Sequence, residues 1–305
     1  MPAAGVLLCL TSAVAFGGMA IFGKLAYDEG ATVGTLLSVR FVIAAALFWV
    51  LVAGTGAARR LRTLSRRDIG IALALGAVGY SAQAGAFFSA LERLDASLLS
   101  LLLYTFPAMV TVAAIALGRE RANARTAVAL VLASAGLFLV LAGAAAGALD
   151  PLGTALGITA AVVYTTYILT SEGVAERVGA LLLSALVCTG AATTLTLGGS
   201  AAGEIHLGDV SAAGYGWLAG IAVVSTVGAV GLFFAGLKRV GPSTASILST
   251  AEPLTTVVLA YLAFGESLSA VQLAGGALVI GAVLVLSSPA GRAAPGRLTP
   301  QMEVR

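Results

Sequence analysis

Histidine and cysteine are nearly missing from this chain of 305 residues, with one of the first and two of the second. His206 alone cannot build the paired-histidine motifs of zinc hydrolases. A Ser-His-Asp triad would have to draw it from a short loop between apolar runs, where a solvated histidine is the simpler reading. Cys9 and Cys188 sit inside apolar runs without CxxC spacing, so they read as inert core thiols, not as a disulfide framework or zinc site. GxSxG, Walker A and GxGxxG strings are absent, which leaves serine-hydrolase chemistry and direct nucleotide hydrolysis without a footing. No enzymatic activity, cofactor or metal is expected. Charge is scarce as well: Asp, Glu, Lys and Arg make up 10% of the residues, against roughly 25% in a soluble domain.

What fills the chain is apolar: 59% hydrophobic residues, 38 glycines and a mean hydropathy of +1.02. Cutting at charges and turn residues gives ten candidate spans at about 5–23, 31–54, 69–91, 96–118, 125–147, 152–171, 179–199, 213–236, 244–265 and 269–288. Each is close to the about 20 residues that cross a ~30 Å hydrocarbon slab as helix. The runs are apolar on every face, whereas a transmembrane barrel alternates polarity over ~10-residue segments. The expected fold class is an all-α integral membrane protein with ten transmembrane helices. The stretch 289–305 holds Pro289, Pro295 and Pro300 with Arg292, Arg297 and Arg305 and shows no periodicity, so it reads as a disordered tail.

Orientation follows from the cations, because cytoplasmic loops carry the Lys/Arg excess. With the N-terminus inside, one side holds Arg59, Arg60, Arg62, Arg66, Arg67, Arg119, Arg121, Arg125, Arg177, Lys238, Arg239, Arg292, Arg297 and Arg305, and the other only Lys24 and Arg93. Both termini are therefore expected in the cytoplasm. The Arg59–Arg67 run is a topology signal and not a nucleic-acid site.

The two halves repeat each other. LERLDASLLSLLLYTFP at 91–107 aligns with LKRVGPSTASILSTAEP at 237–253, matching Arg93 to Arg239, Ser97 to Ser243 and Pro107 to Pro253; further on, Glu120 matches Glu266. GVLLCLTSAV at 5–14 aligns with GTALGITAAV at 153–162, so the first run is the counterpart of the sixth. It also lacks a basic n-region and reads as a mature helix, not a cleaved signal. Five spans per repeat, an odd number, make the second insert upside down relative to the first. The expected organisation is a first repeat over 1–148, a second over 149–288 and a cytoplasmic tail over 289–305.

These residues resemble the EamA-type members of the drug/metabolite transporter superfamily. The resemblance rests on Lys24 after the first span, Arg40 in LSVRFVIAAAL, the LERLDAS stretch, TFPAMVTVAAIALGRE, and LKRVGPSTASILSTAEPLTTVVLAYLAFGE. Two features depart from the family pattern: Arg119 stands between Gly118 and Glu120, and Phe16-Gly17-Gly18 stands where many members carry a Trp. The resemblance implies a ten-helix carrier of two inverted five-helix repeats whose first helix lines the pathway.

Two charges lie deep in apolar sequence. The run after Arg40 is only 14 residues, about 21 Å of helix against a ~30 Å slab, so Arg40 sits about 9 Å or more inside. It either caps carbonyls or snorkels outward, or it attracts an anionic group such as a substrate carboxylate. Glu252 is eight residues into its expected span and is followed by Pro253, which removes a backbone N–H. Burial disfavours the charged form of a carboxyl, so Glu252 reads as a proton carrier or donor to substrate, or else as a neutral structural carboxyl or an ion-pair partner of Arg40. Gln83, Tyr80, Tyr104, Tyr164, Lys24 and Ser246 complete the candidate pathway, with Tyr167, Thr165, Ser225, Thr226, Ser249 and Thr250 as further polar groups. Phe87, Phe88, Phe233 and Phe234 read as packing residues. The expected activity is secondary transport of small organic metabolites, such as amino acids or drug-like solutes, in a bacterial inner membrane, with protons as a candidate coupling ion. Carriage of phosphorylated or nucleotide-linked solutes is the alternative within transport, and a non-transporting membrane protein the alternative outside it.

Overall fold

The computed structural model describes residues 3–118, 124–142, 150–249 and 251–287, without the side chains of 107, 125, 126, 141, 172, 173, 176, 237, 238, 240–247, 286 and 287. The expected tail, Thr250 and Glu120 therefore lie outside the described residues, as does the side chain of Ser246. Every regular element described is helical. In chain order these are α1 (Ala3–Gly17), α2 (Met19–Asp28), α3 (Val33–Gly54), α4 (Arg66–Ala74), α5 (Ser81–Leu91), α6 (Ala96–Leu103), α7 (Phe106–Ala116), α8 (Ala124–Ala142), α9 (Pro151–Val178), α10 (Ala180–Ala201), α11 (Ala212–Ala222), α12 (Ala229–Ser249), α13 (Ala251–Phe264) and α14 (Ala270–Ser287).

Among the described residues, seven stretches are long and apolar enough to cross a membrane: Ala3–Asp28, Val33–Gly54, Arg66–Leu91, Ala96–Ala116, Pro151–Ser171, Ala180–Ala201 and Ala212–Gly236. Ala127–Val140, Ala251–Phe264 and Ala270–Val285 are shorter apolar helices. The continuous apolarity leaves no backbone group to water, and intrahelical bonding is the one arrangement that satisfies all of them along such runs.

Several of these stretches are interrupted, and the interruptions have local causes. α1 gives way to α2 at the pair Gly17-Gly18, where two residues without a Cβ weaken the ladder. α6 and α7 meet at Tyr104-Thr105, just before Pro107, whose ring cannot extend a helix already running. A six-residue π-helical segment, Leu75–Tyr80, joins α4 to α5, and another, Val223–Gly228, joins α11 to α12. Residue 75 to 223 and residue 80 to 228 are both steps of 148, so the two halves carry the same irregularity at the same place.

Three boundaries differ from the sequence expectation. α2 continues past Lys24 to Asp28, so Lys24 lies within the helix and not after it. α9 runs on to Val178, where Gly179 at φ +87 turns the chain into α10. The connection expected around 237–243 is helical: α12 extends to Ser249, and α13 starts at Ala251. Glu252 consequently stands in the first turn of α13, not in the middle of a longer span, and Pro253 beside it needs no backbone partner there.

Packing pairs the halves. α1 lies along α12 and α13, α9 lies along α5, α6 and α7, α3 lies along α10, and α8 lies along α14. Gly136 and Gly275 let α8 and α14 touch backbone to backbone, since a Cβ on either would come within 2.7 Å of the other's carbonyl oxygen. Cys9 and Cys188 are buried and free, as expected, and His206 is exposed near Asp209.

Candidate functional site

Arg40 on α3 is 2% exposed. Its Nε donates to Thr226 Oγ1 at 3.1 Å, and its guanidinium carbon lies 4.8 Å from the Phe41 ring centroid and 5.3 Å from that of Phe88. Thr226 belongs to the second π-helical segment and donates onward to the Ile221 carbonyl, so the irregular turn is what aims a hydroxyl oxygen at the guanidinium. Among the described residues no carboxylate pairs with Arg40. The ion pair with Glu252 that sequence left open is thus not formed. Ser225, next to Thr226, is fully buried with its hydroxyl unpaired among the described residues.

Glu252 is half-buried and meets Tyr104, which is 6% exposed. The Tyr104 hydroxyl lies 2.8 Å from the Ser249 carbonyl oxygen and 3.1 Å from Glu252 Oε2. A phenol has a single proton and can donate to only one of these acceptors. Gly17 seats α1 on this turn: a Cβ there would stand 2.9 Å from the Glu252 carbonyl oxygen, and the Gly17 carbonyl accepts from Thr256 Oγ1 at 3.0 Å. The helix break in the first segment therefore faces the first turn of α13.

Between the two charges runs a chain of rings. Tyr104 contacts Phe106 at 5.9 Å between centroids, Phe106 contacts Tyr164 at 4.7 Å, and Tyr164 stacks on Tyr167 at 6.2 Å and 12°. Tyr167 contacts Tyr80 at 5.5 Å, and Tyr80 meets Phe41 edge-on at 5.4 Å, which returns to Arg40. All these distances fall in the range of attractive ring pairs. α3, the first π-helical segment, α7 and α9 each contribute one or two members. Phe106, Tyr164, Tyr167, Tyr80 and Glu252 are only half-buried, so the chain has an open side.

The structure thus brings together Tyr80, Tyr104, Tyr164, Arg40 and Glu252. Gln83 lies one turn beyond Tyr80, half-buried, and takes no hydrogen-bond partner among the described residues. Lys24 is elsewhere: its Nζ binds Glu266 Oε1 at 2.7 Å and lies 3.8 Å from Asp95. Phe41, Phe88 and Phe106 are site members that sequence reasoning left aside or assigned to packing. Phe106 carried a signal, since it is the repeat counterpart of Glu252.

The sequence model of the EamA-like transporter family matches residues 3–142 and 151–288, one copy on each half. The chain belongs to the EamA-like transporter family. It is 28% identical over 288 residues to "Uncharacterized transporter YcbK" of Bacillus subtilis (strain 168), covering 90% of this chain and 89% of that one. It is 29% identical over 199 residues to an "Uncharacterized transporter" of Archaeoglobus fulgidus, covering 65% of this chain and 70% of the relative. A solved crystal structure shares the fold with a TM-score of 0.63 at 19% identity, covering 94% of this chain and 97% of that one. The chain is therefore a multi-pass membrane protein of a transporter family, and the ring chain lies in the bundle of an EamA-like member.

Proposed function

We propose that the chain is a secondary transporter of small organic solutes, amino acids or drug-like metabolites among them, and that it works by alternating access. The observation that carries this reading is the run of ring contacts from Arg40 to Glu252. A buried cation without a carboxylate partner among the described residues can receive an anionic group of the solute, the rings can hold its apolar body, and the Glu252 carboxyl can take or release a proton. A protonated Glu252 would also donate back to Tyr104 and complete the pairing that a single phenolic proton leaves short.

The moving parts are two inverted five-helix repeats, 1–148 and 149–288. Their exchange maps α1 on α12 to α9 on α5, maps α1 on α13 to α9 on α7, and leaves α3 on α10 and α8 on α14 unchanged. The matched π-helical segments support the same relation, and carriers of this type place their sites at the repeat interface. The 14 to 2 split of cations favours cytoplasmic termini and tail in the inner membrane, with efflux as the direction. A phosphorylated solute would need more cation than Arg40 provides. The test is a thermal-shift screen of the purified protein against a metabolite library, followed by proteoliposome flux for the hits. Stabilisation by solutes carrying a carboxylate, lost in Arg40→Met, is expected; hits that bind Arg40→Met as well as the parent would overturn the site.

A further inference from the structure

Glu266 follows α13, and its side chain is 7% exposed. Oε1 accepts from Lys24 Nζ at 2.7 Å and from the Ala96 N–H at 3.1 Å; Oε2 accepts from the Ser97 N–H at 3.1 Å and from Ser97 Oγ at 3.0 Å. One carboxylate therefore binds α2 and the start of α6 at once. Asp95, at the N-cap of α6, makes no side-chain capping bond, so the free N–H groups of α6 are satisfied by a residue 170 positions away. A negative group at that end is also favoured by the helix dipole. The Phe264 ring lies 5.5 Å from the Lys24 ammonium and covers it from the α13 side.

We infer that Lys24, Glu266 and the first turn of α6 form a latch that closes the solute path on the face of the Lys24 side chain. The inference rests on the reading of the chain as an alternating-access carrier. The segments that meet at the latch also meet at the candidate site. α13 carries Glu252 in its first turn, fourteen residues before Glu266, α6 runs from the latch to Tyr104, and α2 runs from Lys24 back to the Gly17-Gly18 break against Glu252. Parting them at the latch end breaks four hydrogen bonds to one largely buried carboxylate, which are the strong kind. Sequence also indicates that this latch is one-sided. The acid is repeated, because Glu266 matches Glu120, but Lys24 falls on Glu172 at the step of 148 that relates the first segment to the sixth.

Thiol accessibility tests this without a known solute. In a background with Cys9 and Cys188 replaced by alanine, a single cysteine is placed at Ser100, buried one turn inside Ser97. An impermeant maleimide is added to the face that labels the exposed reference Glu92→Cys. Ser100→Cys should react slowly in the parent. Glu266→Gln should speed it about tenfold or more, the ratio expected from losing a charge-assisted hydrogen bond, and Lys24→Met should act alike if Glu266→Gln fails to express. Ser12→Cys, 1% exposed on α1, should stay unreactive in every variant, which separates opening from general loosening. Reaction of Ser100→Cys at the reference rate in the parent, or an unchanged rate in folded Glu266→Gln or Lys24→Met, would overturn the latch. Accelerated labelling in a protein that moves no solute would leave the latch standing and remove only the carrier reading.

Discussion

Replacing Arg40 by methionine separates a binding role from a bracing role, because the stability terms at this position nearly cancel. The substitution forfeits one hydrogen bond to a charged group, about 1.5–3 kcal/mol, and two ring contacts of about 0.5–2 kcal/mol each. It also removes a guanidinium held 2% exposed with no carboxylate beside it among the described residues, a desolvation cost of several kcal/mol. Methionine refills most of the space, and repacking of that kind costs under about 1.5 kcal/mol. The sums are of equal size, so Arg40→Met should melt within a few degrees of the parent or above it, while stabilisation by carboxylate solutes disappears. Differential scanning fluorimetry of detergent-purified protein, with and without solute, reads both quantities. Arg40→Lys keeps the charge but not the planar fork and should bind weakly. An Arg40→Met protein that fails to fold, beside an Arg40→Lys protein that folds normally, would refute the reasoning and make Arg40 a brace.

Gly17→Ala should destabilise by about 1–3 kcal/mol, because the added carbon meets the Glu252 carbonyl oxygen and Thr255 Cβ at 2.9 Å. Gly54→Ala, with nothing within 4 Å, should be neutral or mildly stabilising in the same thermal assay. A cysteine at Arg62 should react with an impermeant reagent in inside-out vesicles and not in intact cells; ready labelling from outside would reverse the orientation. Burial opposes ionisation of Glu266, but Lys24 and the Ser97 and Ala96 N–H groups outweigh it and hold its carboxyl below the usual glutamate range. The latch should therefore be at full strength above roughly pH 4.3 and weaken as pH falls through the depressed value, with Asp95 the other titrating group facing Lys24. The ratio of Ser100→Cys labelling to that of the exposed Glu92→Cys reference, which cancels the common fall in thiolate with acid, should be flat from neutral pH down to about 5 and rise only in stronger acid; a rise of that ratio near pH 6 would contradict it.

The helical fold was legible because apolar length needs no tertiary information, and the repeat was legible because Arg93, Ser97 and Pro107 recur as Arg239, Ser243 and Pro253. The π-helical segments were not legible, since Leu75–Tyr80 and Val223–Gly228 carry no proline and differ in composition. Helix through Pro242 was not legible because Lys238, Arg239 and the Gly241-Pro242 pair read as the charge and turn signals of a loop where α12 continues. Arg40, Glu252 and the tyrosines stood out as polar groups in hydrocarbon. Phe41, Phe88 and Phe106 did not, because a phenylalanine that brackets a cation looks in sequence like one that packs. In sequence Glu266 stands out only as the repeat match of Glu120, because its four donors come from α2 and α6, more than 160 residues away.

Glu252→Gln measured in proteoliposomes tests the central claim most directly. Glutamine keeps nearly the shape of the protonated acid and can still pair with Tyr104, which lies 3.1 Å from the carboxyl oxygen in the parent, but it cannot titrate. The account predicts that the variant expresses and binds solute as the parent does, exchanges solute down its gradient, and no longer accumulates it when a pH gradient is imposed. Full pH-driven accumulation by Glu252→Gln at parent expression would contradict the account.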